Sequence, residues 1–533
     1  MSNLTSRKKL IAAIAIVIII LVSAVGYAYY QQMLQTQKEE ERRSTLYLGT
    51  TETIEWLDGT GTSGLDNLIG EQIYEGLVAH DPNTAALIPR LAESLPTVSS
   101  DRLTYTFHLR KGITFHDGTP LTAQAILDSY LRITTHPERL ANDIVFAHID
   151  LKSSRAIDDH TLELRLHQPF SLALSILAAP SVLINKPGPS LDELTSKDLY
   201  IGTGPWKFDH WTRGTEIVLT RNDNYWDKER TPMYLKTLVF KLYRDPSAMV
   251  LDLKSHALDA AWPSFQTTDI ESLKADSQFK VIPAPTGRNI QLTPNLKLGE
   301  GMGDLRVRQA LAYAIDRSDI ISRVYKGVTA KEQLSIVPES FPGYFEAFEK
   351  YPHNPDKARQ LLQEAGYPNG IDVTLLYSTR DAHDTDIAVV LQSQLSEVGI
   401  RLKLQQMEHG AFIDAFMKGQ FELLIGHWVY DYYDAAQYMI TFSANQALGG
   451  YWTPWTGYSS SEADELVTTM LGTTDESSRL QMYKQLQEII ADDVVVVPIG
   501  GGIDYLVVWT TVQGLQLANP FFATSFAVTM KTA

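Results

Sequence analysis

The second half of the chain alternates between strand patterns and helix patterns, and this alternation constrains the fold more than any other feature. Apolar residues recur at every second position in 371–377 and in 400–404, which is typical of half-buried strands. Helix patterns end near Val398 and Gly419, and the second of them leads into an apolar strand at 421–428. Strands that alternate with helices predict an α/β sheet with helices packed on its faces.

The first half, from Leu46 to about Ala284, mixes shorter strands and helices. Residues 103–109 alternate between apolar and polar and predict another half-buried strand. Thr122 can cap a helix that follows it, and Pro246 can begin one because proline is tolerated in a first turn.

A chain of 533 residues is too long for one hydrophobic core, so we expect two or three domains or lobes. Residues 494–497 predict a short buried strand that leads to three consecutive glycines at 500–502. Because glycine permits backbone rotation, this run is a candidate hinge between lobes.

The composition excludes several functions. A net charge of −17 disfavours nucleic acid as a partner, since phosphate binding needs a basic face. The chain has no cysteine, which removes disulfides, thiol nucleophiles and zinc–thiolate sites. The motifs His-Glu-x-x-His and Gly-x-Ser-x-Gly are absent, as is a phosphate-binding glycine loop. The absence of these motifs therefore disfavours an enzyme, and the sequence implies no cofactor.

The N-terminus carries a membrane or export signal. Arg7, Lys8 and Lys9 precede an uncharged, largely apolar run at 10–30. Twenty-one residues are enough to cross a bilayer of about 30 Å, and the basic flank keeps the N-terminus in the cytoplasm. The length favours an uncleaved signal anchor, although Val22-Ser23-Ala24 also offers a cleavage site for a signal peptide. The polar stretch 31–44 is interpreted as a linker or a continuation of this helix.

Five short motifs allow a family to be recognised. They are FHDGTPLTA at 115–123, GTGPW at 202–206, RNDNYW at 221–226, LRVRQAL at 305–311 and AIDR at 314–317. From Leu46 to Val528 the chain resembles the family 5 extracellular solute-binding proteins, which include the oligopeptide-, dipeptide- and nickel-binding proteins of ABC importers. The resemblance implies a two-lobed periplasmic-binding-protein fold of type II, with a hinge and a ligand cleft between the lobes.

The resemblance also implies where the lobes begin and end. Lobe I would comprise 45–284, with an inserted subdomain at about 82–200, and the chain would return to it at 503–533. Lobe II would comprise 285–502, with crossings near 283–288 and 498–503. Such a protein acts as a monomer outside the cytoplasmic membrane and delivers its ligand to the transmembrane subunits of an ABC permease.

Two charged residues are the strongest candidates for ligand contact. In peptide-binding relatives the aspartate of a Trp-x-x-Asp segment pairs with the α-amino group of the ligand, and Asp431 matches it. In dipeptide-binding relatives an arginine in the segment of Arg380 holds the ligand's carboxylate. A helix cap for Asp431 and an ordinary surface position for Arg380 are the alternatives. The family usually continues with Asp-Pro, whereas this chain has Asp434-Ala435.

Aromatic residues concentrate around the same segment and can line a ligand cleft or belong to a lobe core. The candidates for the cleft are Trp428, Tyr430, Tyr432 and Trp452. A separate acidic cluster, from Asp381 to Asp386, could bind a metal, but acids at a helix start more often satisfy free backbone amides.

Peptide capture is therefore the expected function. A nickel or other metal-chelate binder of the same family is the alternative, and Asp431 disfavours it because a nickel site needs no counter-ion for an amine. An enzyme or a sensor on the same fold is the second class of alternative.

Overall fold

The structure is a computed structural model, and residues 2–533 are described with some exceptions. The residues outside the description are Glu55, 61–63, 82–83, Ala85, 137–145, Arg230, Ser264, 299–300, Ala382, 430–431, 446–449, Tyr451, 516–525, 527–528 and 532–533, together with the side chains of 2–20, Ala24 and Pro285.

The described part of the chain contains helices and strands throughout. The helices are α1 (Ser2–Ser44), α2 (Gly64–Ile73), α3 (Ala123–Ile133), α4 (Ala173–Leu177), α5 (Leu191–Lys197), α6 (Pro246–Lys254), α7 (Thr267–Lys274), α8 (Leu305–Ala314), α9 (Arg317–Tyr325), α10 (Pro355–Glu364), α11 (Asp384–Val398), α12 (His409–Met417), α13 (Ala436–Thr441), α14 (Trp452–Thr456), α15 (Ser461–Gly472) and α16 (Glu476–Asp492). The strands are β1 (Thr45–Thr50), β2 (Val78–His80), β3 (Leu87–Pro89), β4 (Thr97–Val98), β5 (Thr104–His108), β6 (Arg155–Asp158), β7 (Thr161–Arg165), β8 (Trp206–Thr212), β9 (Glu216–Arg221), β10 (Thr237–Leu242), β11 (Ala260–Ala261), β12 (Phe279–Pro294), β13 (Ala330–Glu332), β14 (Ile371–Ser378), β15 (Ile400–Met407), β16 (Leu423–Trp428), β17 (Val497–Trp509), β18 (Val512–Gln513) and β19 (Met530–Lys531).

One sheet of eleven strands organises the molecule. Its order is β15-β14-β16-β12-β17-β11-β1-β10-β9-β8, with β13 paired beside β17. The first half-sheet comprises β11, β1, β10, β9 and β8, and in it β1 runs parallel to β10 and β11. The second half-sheet comprises β16, β14 and β15, and in it β14 runs parallel to β15 and β16. Strands and helices alternate from β14 to β16, so the predicted α/β arrangement of this region is confirmed.

Strands β12 and β17 form an antiparallel ribbon that joins the two half-sheets. Residues 279–285 of β12 pair with 503–509 of β17, next to the first half-sheet, where β17 also pairs with β11. Residues 289–294 of β12 pair with β16, next to the second half-sheet. The register of the ribbon shifts between Pro285 and Asn289. This shift lies between the half-sheets, and a second register shift, between Ile290 and Gln291, lies beside the second half-sheet.

The glycine run lies inside β17, which corrects the prediction of a short strand at 494–497. Val497 is the first residue of a strand of 13 residues that continues through 500–502. A Cβ atom on Gly501 would lie 2.5 Å from Gln333 Oε1, and one on Gly502 would lie 2.9 Å from Arg288 Nε. These glycines therefore allow neighbouring segments to approach the ribbon closely, a requirement that sequence periodicity does not reveal.

The predicted linker 31–44 is helical, because α1 continues without a break to Ser44. The end of α1 is attached to the first half-sheet through the buried carboxylate of Asp259. Asp259 accepts hydrogen bonds from Arg42 at 2.7 Å and from Lys531 at 3.0 Å. Among the described residues, no helix is both long enough and apolar enough to span a membrane.

The motif residues contribute to a buried polar hub around Glu75, which follows α2. The carboxylate of Glu75 accepts hydrogen bonds from Thr203 Oγ1 at 2.8 Å, Tyr225 Oη at 2.9 Å and Trp226 Nε1 at 2.8 Å. Arg90 Nε pairs with the same carboxylate at 2.8 Å, and the Glu75 side chain is only 3% exposed. Such a buried charge is tolerated because its partners are complete. The GTGPW and RNDNYW motifs therefore stabilise the scaffold.

The glycines of the GTGPW motif are required by a close contact with the end of α2. A Cβ atom on Gly204 would lie 2.5 Å from the carbonyl oxygen of Gln72, and one on Gly202 would collide with the carbonyl oxygen of Ile73. The backbone of this motif can pack against α2 only where no side chain intervenes.

We expect Gly202→Ala to destabilise the fold by about 1–3 kcal/mol, because the added methyl group meets backbone that cannot move aside cheaply. Gly472→Ala is the matched control, since a Cβ atom there meets nothing within 4 Å. Denaturant unfolding of both variants measures the difference. Equal stabilities for the two variants would contradict the proposed steric role.

Candidate functional site

A cavity of about 260 Å³ lies where the carboxyl ends of strands from the two half-sheets meet. Glu52 follows β1 and Pro263 follows β11, whereas Arg380 follows β14. Arg288 of β12 and Asp504 of β17 also line the cavity, so both strands of the ribbon contribute to it. Ligands of α/β sheets bind beyond the carboxyl ends of the strands, so this cavity is the candidate site.

A second cavity of about 420 Å³ adjoins the ribbon. Arg288 and Ile503 line both cavities, and Lys331, Glu339 and Tyr344 line only the second. Together the two cavities provide room for a ligand larger than a single amino acid.

An ion pair between Arg288 and Asp381 lies in the first cavity. Arg288 Nη1 is 3.3 Å from Asp381 Oδ2, and His383 donates its backbone N–H to Asp381 Oδ1 at 2.9 Å. Burial favours the neutral acid, but hydrogen bonding from His383 and the charges of His427 and Arg288 outweigh it and hold the pKa of Asp381 well below its usual range. Asp381 therefore remains ionised and compensates Arg288.

Behind this pair, His427 of β16 contacts Asp384, the first residue of α11, at 2.6 Å. The Asp384 side chain is 1% exposed, and burial raises its pKa while the hydrogen bond from His427 opposes the shift. Asp381 and Asp384 thus pair with Arg288 and His427. Within the described ranges, no group of three or more His, Cys, Asp or Glu residues could hold a metal ion.

Arg380 is the predicted site residue that lines the cavity. Its backbone N–H donates to Ser378 Oγ at 3.0 Å, and its Nη1 lies 3.2 Å from His409 Nε2. No described carboxylate forms an ion pair with it within 4.0 Å. The guanidinium is therefore positioned to pair with an acidic group of a ligand.

The predicted aromatic residues have different environments. Trp428 is half-buried at the end of β16 and packs edge-on against Tyr438, with ring centres 6.0 Å apart. Trp452 is 1% exposed, stacks on Phe442 at 5.0 Å and donates its indole N–H to Thr441 Oγ1 at 2.8 Å. This packing favours a core role for Trp452 over the predicted contact with a ligand.

The remaining predicted site residues are Tyr430, Asp431 and Tyr432. Tyr432 is buried, with its backbone N–H bonded to Gln437 Oε1 at 3.0 Å. Tyr430 and Asp431 lie outside the described residues. Asp434, part of the departure from the family pattern, is buried and accepts a hydrogen bond from Tyr483 Oη at 2.6 Å.

Sequence reasoning did not single out Glu52, Arg288 or Asp504. The available signal was position, because Glu52 lies two residues after β1, just as Arg380 lies two residues after β14. Applying the strand-end rule to the first half-sheet would have found Glu52. Arg288 and Asp504 lie on ribbon strands, where sequence alone does not show which side chains face a cavity.

The chain is similar to known proteins over most of its length. The family described as "Bacterial extracellular solute-binding proteins, family 5 Middle" matches residues 86–450. Di/tripeptide-binding protein 1 of Pseudomonas aeruginosa is 28% identical over 497 residues, which cover 87% of this chain and 90% of that protein. The glutathione-binding protein of Escherichia coli K12 is 28% identical over 459 residues, covering 84% and 86%.

The fold is also similar to that of a solved structure. A periplasmic binding protein of Helicobacter pylori in complex with the peptide STSA has a TM-score of 0.76 and 24% identity, covering 93% of this chain and 100% of that one. Proteins of the matching family are extracytoplasmic solute-binding components of transporters rather than enzymes. This chain belongs to the family 5 bacterial extracellular solute-binding proteins.

Proposed function

We propose that this protein captures peptides outside the cytoplasmic membrane and delivers them to the transmembrane subunits of an ABC permease. The observation that carries the proposal is the cavity at the carboxyl ends of both half-sheets, in which Arg380 has no carboxylate partner among the described residues. The relatives whose names specify peptides or glutathione support the same ligand class.

The lobes of the proposed mechanism are 45–284 with 503–533, and 285–502, and a monomer is sufficient for it. Closure of the lobes would bend the β12–β17 ribbon near its register shift, where regular pairing is already interrupted. Because Arg288 and Asp504 lie on that ribbon, closure would change the shape of the cavity directly.

Arg380 binds the carboxylate end of the peptide in this proposal, and Asp431 binds its α-amino group. A closed cleft excludes water, so each terminal charge needs a partner of opposite sign. Guanidinium and carboxylate groups supply charge-assisted hydrogen bonds to these two ends. Trp428, Tyr430 and Tyr432 belong to the same segment as Asp431 and would shape the adjoining wall.

We expect Arg380→Gln to weaken the binding of free-acid peptides by about 1.5–3 kcal/mol, the usual contribution of a hydrogen bond to a charged group. Peptides with an amidated C-terminus should lose far less from the same change. Calorimetry compares the two peptide forms, with the exposed Arg323→Gln as the matched control. Equal losses for acid and amide peptides would exclude a contact between Arg380 and the carboxylate.

Asp431→Asn keeps the side-chain shape and removes the charge, so we expect it to cost about 2–5 kcal/mol of peptide binding. N-acetylated peptides should bind the native protein weakly and lose little more on Asp431→Asn. The control is Asp356→Asn, whose side chain is 93% exposed. Strictly additive losses in this two-by-two set would show that Asp431 and the amino group do not meet.

A clear thermal shift with nickel chelates and none with a peptide library would favour the metal-chelate alternative.

Residues 1–30 remain attached in this proposal and hold the protein to the membrane. The side chains of Leu21, Val22 and Val25 on α1 are 58%, 66% and 69% exposed, so no protein surface covers them. Tyr27, Tyr29 and Tyr30 follow, as is common for residues at a membrane interface. Apolar side chains of this kind are stabilised by lipid.

We expect N-terminal sequencing of the protein purified from membranes to find the segment before Val25 still present, because the apolar run is longer than that of a normal signal peptide. Alkaline washing should leave the protein in the membrane fraction, and deletion of residues 1–30 should release it. A mature N-terminus near Val25 would overturn the anchor.

A further inference from the structure

The first cavity carries more negative than positive charge in its lining. Glu52, Asp381 and Asp504 face two guanidinium groups, those of Arg288 and Arg380. Arg288 pairs with Asp381, and the proposed ligand carboxylate would occupy Arg380. Glu52 and Asp504 are then the two carboxylates of the lining that form no ion pair within 4.0 Å among the described residues.

Neither of these two carboxylates has a side-chain hydrogen bond or an ion pair within the part of the chain that the structure describes. The Glu52 and Asp504 side chains are both half-buried. Burial, reinforced by the neighbouring Asp504 carboxylate, raises the pKa of Glu52, although the charges of Arg380 and Arg288 oppose the shift. Burial also raises the pKa of Asp504, against the opposing charge of Arg288. Two acids held close together and away from water are costly unless a cation joins them.

A second observation points to the same missing group. The hydroxyl oxygens of Tyr325 and Thr329 are buried and have no hydrogen-bond partner among the described residues. Both residues line this cavity, and Tyr325 is only 2% exposed. Buried polar atoms in native proteins are nearly always hydrogen-bonded, so unpaired hydroxyls beside unpaired acids indicate a site for a polar ligand.

We propose that Glu52 and Asp504 form a subsite for a cationic side chain, with the hydroxyls of Tyr325 and Thr329 beside it, so that the cleft prefers peptides that contain lysine or arginine. The proposal rests on peptide capture and adds the class of side chain. Because Arg380 lines the same cavity of about 260 Å³, the basic residue would be the one that carries the ligand's carboxylate.

The chemistry of the subsite explains why a cation would be selected. An ammonium or guanidinium group donates several hydrogen bonds and accepts none, and carboxylates and hydroxyls are all able to accept them. An apolar side chain of the same length would add no positive charge beside the two carboxylates in a closed cleft. This lowers the affinity for neutral ligands, so the subsite gains specificity by disfavouring them as well as by attracting cations.

The test is calorimetry with the full-length protein and the dipeptides Ala-Lys and Ala-norleucine, which differ only in the terminal ammonium group. We expect Ala-Lys to bind at least about tenfold more tightly than Ala-norleucine, as one charge-assisted hydrogen bond requires. Ala-acetyllysine should behave like Ala-norleucine. Glu52→Gln and Asp504→Asn should each reduce the preference for Ala-Lys toward unity.

Glu271→Gln is the matched control, because Glu271 is an exposed acid of α7 and the preference should survive its change. Thermal melts should show that Glu52→Gln and Asp504→Asn are at least as stable as the native protein, since each removes an unpaired buried charge. Equal binding of the two dipeptides would overturn the cationic subsite and leave peptide capture intact. Failure of both dipeptides and of a wider peptide library would overturn the proposed function itself.

Discussion

The pairing of β12 with β17 is the constraint on which the rest of the molecule depends. The two strands exchange hydrogen bonds along both half-sheets, and each half-sheet extends from a different edge of the ribbon. Arg288 and Asp504 lie on the two strands and line the cavity, so the element that joins the halves also forms part of the site. A change in the ribbon therefore alters the fold and the binding surface together, which limits how freely either can vary.

The family motifs act on the scaffold, and the candidate ligand contacts lie elsewhere in the sequence. Thr203, Tyr225 and Trp226 surround Glu75, while Arg317 of the AIDR motif donates to the carbonyl oxygen of Pro498 at 2.7 Å. Close packing and buried hydrogen bonds leave few substitutes for these residues. Recognition of the motifs consequently predicts the fold well and restricts the ligand only to a broad class.

The sequence predicted local structure correctly where that structure depends on neighbouring residues in the chain. The Thr122 side chain caps α3 by accepting from Ala125 at 3.1 Å, as the helix-cap rule predicts, and β14 follows its period-two pattern. The sequence analysis did not predict that β17 continues through three glycines, because those glycines lie close to residues that are distant in the sequence. The sequence left open whether Trp452 lines the cleft or belongs to a core, since apolar cores and aromatic ligand clefts use the same side chains.

Glu75 and Glu52 show why composition could not identify the site. Both are glutamates that follow elements of the first half of the chain, yet Glu75 has hydrogen bonds from three side chains and an ion pair, whereas Glu52 has no side-chain partner in the described structure. A fully paired buried charge fixes packing. An unpaired buried charge lowers the stability of the fold, so the requirements of folding do not explain why it is present. An unfavourable charge of this kind can be kept at a binding site, because the ligand compensates it in the bound state. The same reasoning applies to Asp504, whose carboxylate lies on the ribbon that we propose bends when the lobes close, so a ligand that pairs with Asp504 would act directly on that element.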